Sequence, residues 1–114
     1  AASIASGRTV TPMLVRAPGT ATPGPAKPLT DAEASALRDL MRAVVTDGGG
    51  RALANVPGQP VLAKTGTATQ GSGGFHGWML AIRGDLAVAV FVEDASSGAI
   101  DAGPIVEAFL RATG

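Results

Sequence analysis

The hydrophobic and polar positions divide the chain into a half with helical spacing and a half with strand spacing, joined through glycine. From Thr30 to Asp47, Leu37, Leu40, Met41, Val44 and Val45 follow the i, i+3, i+4, i+7, i+8 rule of one helical face, and Arg38 and Arg42 lie off it. Thr30-Asp31-Ala32-Glu33 reads as a capping box, in which the Thr30 hydroxyl accepts from the Glu33 N–H and the Glu33 carboxylate reaches back. Asp31 and Glu33 suit the positive helix end, and Gly48-Gly49-Gly50 stops the helix. The spacing therefore predicts a helix over 30–47. After residue 60 the period shortens. Strands are predicted at about 60–69, 75–83 and 85–93, with glycine-rich turns at Gln70–Gly74 and Arg83-Gly84-Asp85. Leu86–Val92 is almost unbroken apolar sequence, the pattern of a central strand buried on both faces. A last helix is predicted over 100–112. Asp101 is its candidate cap, Pro104 is acceptable only in its first turn, and Ile105, Val106, Phe109 and Leu110 are its apolar positions. The expected fold is α+β: an antiparallel three-stranded sheet over 60–93, flanked by helices, with the last helix packed across the sheet.

The N-terminal stretch is irregular. Ala1–Gly7 reads as a helix tail closed by glycine. Arg8–Arg16 is extended, and Pro12 argues against a central strand. Residues 17–28 hold Pro18, Pro23, Pro25 and Pro28 with Gly19 and Gly24, which predicts a flexible surface loop. A proline-rich ligand would need more basic residues than Lys27 within this segment. The chain has no initiator methionine and starts as if inside a helix. The expectation is a C-terminal segment of one larger domain.

Composition removes several functional classes. Of 114 residues 46% are hydrophobic, enough for a core, and nine basic residues balance nine acidic ones. That balance gives no electrostatic reason to expect nucleic acid as a partner. With no cysteine and one histidine, neither a disulfide framework nor a conventional zinc site is expected, so no metal or cofactor is assigned. No apolar run reaches the roughly 18 residues of a membrane span. Seven arginines against two lysines, with abundant alanine, suggest a GC-rich, actinobacterial source.

The candidate chemistry lies in Val61-Leu62-Ala63-Lys64-Thr65-Gly66-Thr67-Ala68-Thr69. Alternation puts Val61, Ala63, Thr65 and Thr67 on one face and Leu62, Lys64, Gly66 and Ala68 on the other. Glycine weakens a strand unless something must approach its backbone. The stretch thus reads as a strand edge offering one cation, two hydroxyls and accessible backbone. Gly58–Thr65 also comes within one residue of a phosphate-binding loop, but Ala63 stands where that loop needs glycine, and Gly66-Thr67-Ala68-Thr69 does not open a helix. Arg83-Gly84-Asp85 is read as a hairpin turn rather than an adhesion motif, and Glu93 and Asp94 are too close together for paired-carboxylate glycosidase chemistry. His76 is expected to be structural, and Trp78 to belong to the core.

Lys64-Thr65-Gly66 resembles the Lys-Thr-Gly motif of penicillin-binding proteins and serine β-lactamases. Its extension through Thr67-Ala68 is more like a peptidoglycan transpeptidase. His76-Gly77-Trp78-Met79 looks like the strand that follows the motif in that family, and Ala102-Gly103-Pro104-Ile105 like the start of its last helix. Nearly the whole chain is similar to the C-terminal third of a class B penicillin-binding protein. The resemblance implies a serine acyl-transfer enzyme, a D,D-transpeptidase that cross-links stem peptides and is acylated by β-lactams. It implies Lys64 and Thr67 as catalytic, through positive charge and an oxyanion-hole N–H, and Thr65, Gly66 and Thr67 as substrate-binding. The chain departs from the family at the nucleophile. Three places before Lys27 and Lys64 stand Gly24 and Val61, and two places before Asn55 stands Leu53, so neither Ser-x-x-Lys nor Ser-x-Asn occurs. The implied partners are an N-terminal part of the same protein carrying the nucleophile, the peptidoglycan stem peptide and β-lactams, and the fragment alone is expected to be inactive. The implied location is the extracytoplasmic face of the cell membrane, with the anchor outside this chain. Alternatives are a D,D-carboxypeptidase, a β-lactamase or β-lactam sensor of the same fold, or a binding module without chemistry.

Overall fold

The computed structural model describes residues 1–10, 27–71 and 73–113. Most of the expected Pro/Gly loop, and the extended segment beyond Val10, lie outside the described residues. Helix α1 (Ala2–Ser6) ends as its sequence predicts, with Gly7 left-handed at φ 67°. Helix α2 spans Asp31–Thr46. Its capping box is closed in both directions: Glu33 N–H donates to Thr30 Oγ1 at 3.2 Å, and Thr30 N–H donates to Glu33 Oε2 at 2.8 Å. The Thr30 N–H, and then the Thr30 hydroxyl, hold the Glu33 carboxyl below its ordinary range. A 3-10 turn over Arg51–Asn55 leads to the sheet.

Strands β1 (Leu62–Gln70), β2 (Gly74–Arg83) and β3 (Leu86–Val92) form an antiparallel meander in the order β1-β2-β3. Lys64 lies opposite Leu80, Gly66 opposite Trp78 and Thr67 opposite Gly77. Beyond β3, a π-helical turn (Gly98–Ala102) runs into helix α3 (Gly103–Ala112), with Pro104 in its first turn. The core lies on one face of the sheet. Val61 and Ala63 of β1 and Met79 and Ala81 of β2 are buried there against Val45 of α2, Leu53 of the 3-10 turn, and Val106 and Leu110 of α3. Each fully buried large side chain contributes roughly 1.5–3 kcal/mol of burial. Arg83 fastens the far end, donating from Nη1 to the Leu110 carbonyl at 2.6 Å and from Nη2 to Thr113 Oγ1 at 3.1 Å. The first of these bonds reaches one of the carbonyls that the end of α3 leaves without an intrahelical partner.

Four expectations are corrected. Among the described residues β3 is an edge strand rather than a central one buried on both faces: Leu86, Val88, Val90 and Val92 lean on the core, while Phe91 on the opposite face is exposed. Trp78 is not core. It stands on the outer face, 42% exposed, with its ring 4.5 Å from that of Phe91. The buried line of α2 is Ala34, Met41 and Val45, and Leu40 is 66% exposed. Asp101 does not cap the last helical segment. Ser97 does, accepting from the Ile100 N–H at 3.2 Å, while Asp101 Oδ2 reaches back to the N–H groups of Ser96 and Ser97 at 2.7 and 3.0 Å. In α3 itself, Val106 and Leu110 are buried, and Ile105 and Phe109 are exposed.

Candidate active site

Strand β1 has β2 on one side and, among the described residues, no strand on the other. Which backbone groups face that open edge follows from Gly98, which sits against the ladder. A Cβ on Gly98 would overlap both the Gly66 and the Trp78 carbonyl oxygens, so the two oxygens face each other across the strands. Opposed residues of that kind exchange hydrogen bonds, and their neighbours along the strand turn their N–H and C=O outward. Thr65 and Thr67 are those neighbours. The pattern agrees with the side chains that meet the edge. Arg42 Nη1 donates to the Val61 carbonyl at 2.9 Å, and the Lys64 ammonium donates to the Thr65 carbonyl. Helix α2 thus covers the start of the edge, and among the described residues nothing takes the outward N–H of the exposed Thr67.

The two faces of β1 carry different chemistry. On the outer face, Lys64 and Gly66 with Trp78 and Leu80 border a shallow hollow of about 230 Å³. On the inner face, Thr65 lies beside Gly49 and Ala99, and Thr67 Oγ1 accepts from the Gly98 N–H at 3.3 Å. All four sequence-predicted site residues, Lys64, Thr65, Gly66 and Thr67, therefore lie along one accessible edge. That arrangement suits an extended ligand with a carboxylate: a cation and hydroxyls meet the charge, and outward N–H groups can pair with a backbone or stabilise a developing oxyanion.

Sequence reasoning missed the turn behind the edge. Gly77 and Gly98 let Ala95–Gly98 rest on the ladder; a Cβ on Gly77 would come within 2.8 Å of Ala95 Cβ and 3.1 Å of the Ser97 carbonyl. A glycine inside a strand pattern was the available signal. His76 joins none of this chemistry. Its ring packs 5.1 Å from Phe91, and its shielded Nδ1 has no hydrogen-bond partner among the described residues. The rival motifs find no support, since Lys64-Thr65 lies within a strand rather than before a helix, and Arg83 is held by α3. Among the described residues no cluster of His, Asp or Glu could hold a metal, and no helix is long and apolar enough to cross a membrane.

Fold and edge together define an α+β domain whose first strand presents a lysine, two hydroxyls and outward backbone groups along one open side. The family model of the penicillin binding protein transpeptidase domain matches residues 1–111, and the chain belongs to that family. A comparison with curated proteins gives no match.

Proposed function

We propose that the chain is the C-terminal part of a class B, actinobacterial D,D-transpeptidase domain, supplying the Lys-Thr-Gly strand to a serine acyl-transfer site. The observation that carries this reading is the open edge of β1, where Lys64, Thr65, Gly66 and Thr67 stand together and the Thr67 N–H faces outward. In this reading Lys64 draws the substrate carboxylate, Thr65 and Thr67 donate hydrogen bonds to it, and the Thr67 N–H is one of the donors that stabilise the tetrahedral oxyanion. Loss of one such donor costs about 2.7–4 kcal/mol of transition-state stabilisation. The nucleophilic serine and its base belong to polypeptide preceding Ala1, because no Ser-x-x-Lys occurs in these residues. The stem peptide is the natural acyl donor, β-lactams acylate the same serine, and the domain works on the extracytoplasmic face of the cell membrane.

The test is labelling of the full-length protein with a fluorescent penicillin, then limited proteolysis and a denaturing gel. A label on the part preceding residue 1, and none on residues 1–114, is the expected result. A folded full-length protein that takes no label would favour a binding module that keeps the fold without the chemistry. Label on residues 1–114 would contradict the account, since it needs a nucleophile that the motif search does not find there.

A further inference from the structure

We propose that Gly98, held in place by Asp101, is a positioning residue that fixes the Thr67 hydroxyl as a hydrogen-bond donor toward an anionic ligand at the open edge. The inference rests on the acyl-transfer reading and adds a specificity device to it. A threonine hydroxyl can accept two hydrogen bonds and donate one, and an unengaged one rotates to suit its neighbours. Thr67 is not unengaged. Its Oγ1 accepts from the Gly98 N–H at 3.3 Å from behind the strand, and among the described residues it donates to nothing. With one lone pair taken from the inner side, the hydroxyl proton is turned away from Gly98. Thr67 is exposed, so that direction leads to solvent at the edge.

The geometry needs glycine and a rigid turn. Any side chain at Gly98 would drive into the Gly66 and Trp78 carbonyls, so no other residue brings its N–H this close to Thr67 without moving β1. The turn is tied down at three further points. Asp101 Oδ2 accepts from the N–H groups of Ser96 and Ser97 at 2.7 and 3.0 Å, Ser97 Oγ accepts from Ile100 N–H at 3.2 Å, and Ala95 N–H donates to the Phe75 carbonyl at 2.8 Å. Bonds to a carboxylate are the stronger kind, so Asp101 is the residue whose loss most loosens the turn without touching β1.

The full-length protein would be acylated with a fluorescent penicillin and with the methyl ester of that penicillin, which lacks the anion. Asp101→Ala is expected to slow acylation by the acid roughly threefold to tenfold, the size of one hydrogen bond, and to leave the ester rate unchanged. In a Thr67→Val background, which itself lowers the preference for the acid, Asp101→Ala should change that preference no further, whereas Thr67→Ser should preserve both the preference and its sensitivity to Asp101. A purely structural role would slow both probes alike. Equal slowing, a preference unchanged in Thr67→Val, or an Asp101→Ala effect that persists in Thr67→Val would each overturn the proposal and leave the acyl-transfer reading standing. A wild-type protein acylated by neither probe would overturn both.

Discussion

Gly66→Ala separates what the fold requires from what a ligand requires. Gly66 is not among the glycines with positive φ. The three atoms nearest a Cβ built on it all belong to Trp78, its Cβ at 3.5 Å and ring carbons at 3.9 and 4.0 Å, all ordinary van der Waals contact. Nothing in these residues therefore demands glycine. Replacing a strand glycine at an unstrained position also restricts the unfolded chain, for a gain of about 0.4–1 kcal/mol. The methyl group would instead occupy the hollow beside Lys64. Gly98→Ala is the control with the opposite geometry, since its Cβ overlaps two backbone carbonyls; overpacking of that kind costs about 1–3 kcal/mol. Both variants would be made in the full-length protein. Stability would be followed by urea denaturation and penicillin acylation by stopped-time fluorescence. Gly66→Ala should keep or raise stability while acylation falls tenfold or more, as expected when a ligand is displaced by about 1 Å. Wild-type acylation in Gly66→Ala, or a stability loss matching that of Gly98→Ala, would refute the reasoning.

Lys64→Met should change stability by less than about 0.5 kcal/mol, because the side chain is exposed; acylation by an acidic penicillin should fall roughly tenfold to a hundredfold, the worth of a charged hydrogen bond. Met79→Ala empties a fully buried position on the central strand and should cost about 2–5 kcal/mol in the same denaturation experiment. The Glu33 carboxyl is lowered in the folded protein, so its contribution is present above the ordinary value of 4.5 and is lost as pH falls through the lower folded value. Stability measured against pH should fall more steeply in this acid range for wild type than for Glu33→Gln. Thr30→Ala, which removes the hydroxyl that accepts from Glu33 N–H, should cost about 1 kcal/mol at neutral pH.

The elements that sequence reading located are those with a local cause. The α2 boundary follows from one capping box and a glycine run, and the strand boundaries from turns at Gly73 and Gly84, both with positive φ. The misread elements depend on what lies across from them. An apolar run such as Leu86–Val92 shows that a strand has two apolar faces without showing whether another strand pairs with its far side. Trp78 carries enough apolar surface for the core, yet its parity places it opposite Phe91 on the outer face. Ser97 and Asp101 are both capping residue types, and only the turn geometry reveals that one caps while the other reaches back. At the candidate site, the positions of Lys64, Thr65, Gly66 and Thr67 were legible because alternation on a strand is local. The Gly98 N–H behind Thr67 was not, because it comes from 31 residues away.

The edge of β1 has a fixed starting point. The Val61 carbonyl is taken by Arg42 and the Thr65 carbonyl by Lys64. The next outward residue is Thr67, then Thr69, after which β1 ends at Gln70. Among the described residues, an extended chain laid along this edge beyond the Lys64 ammonium meets two outward residues, Thr67 and Thr69. The strand would then act as a ruler as well as a template. It would register the last few residues of a peptide against a barrier at Lys64, and reading from that stop would favour a chain end over an internal stretch of the same sequence.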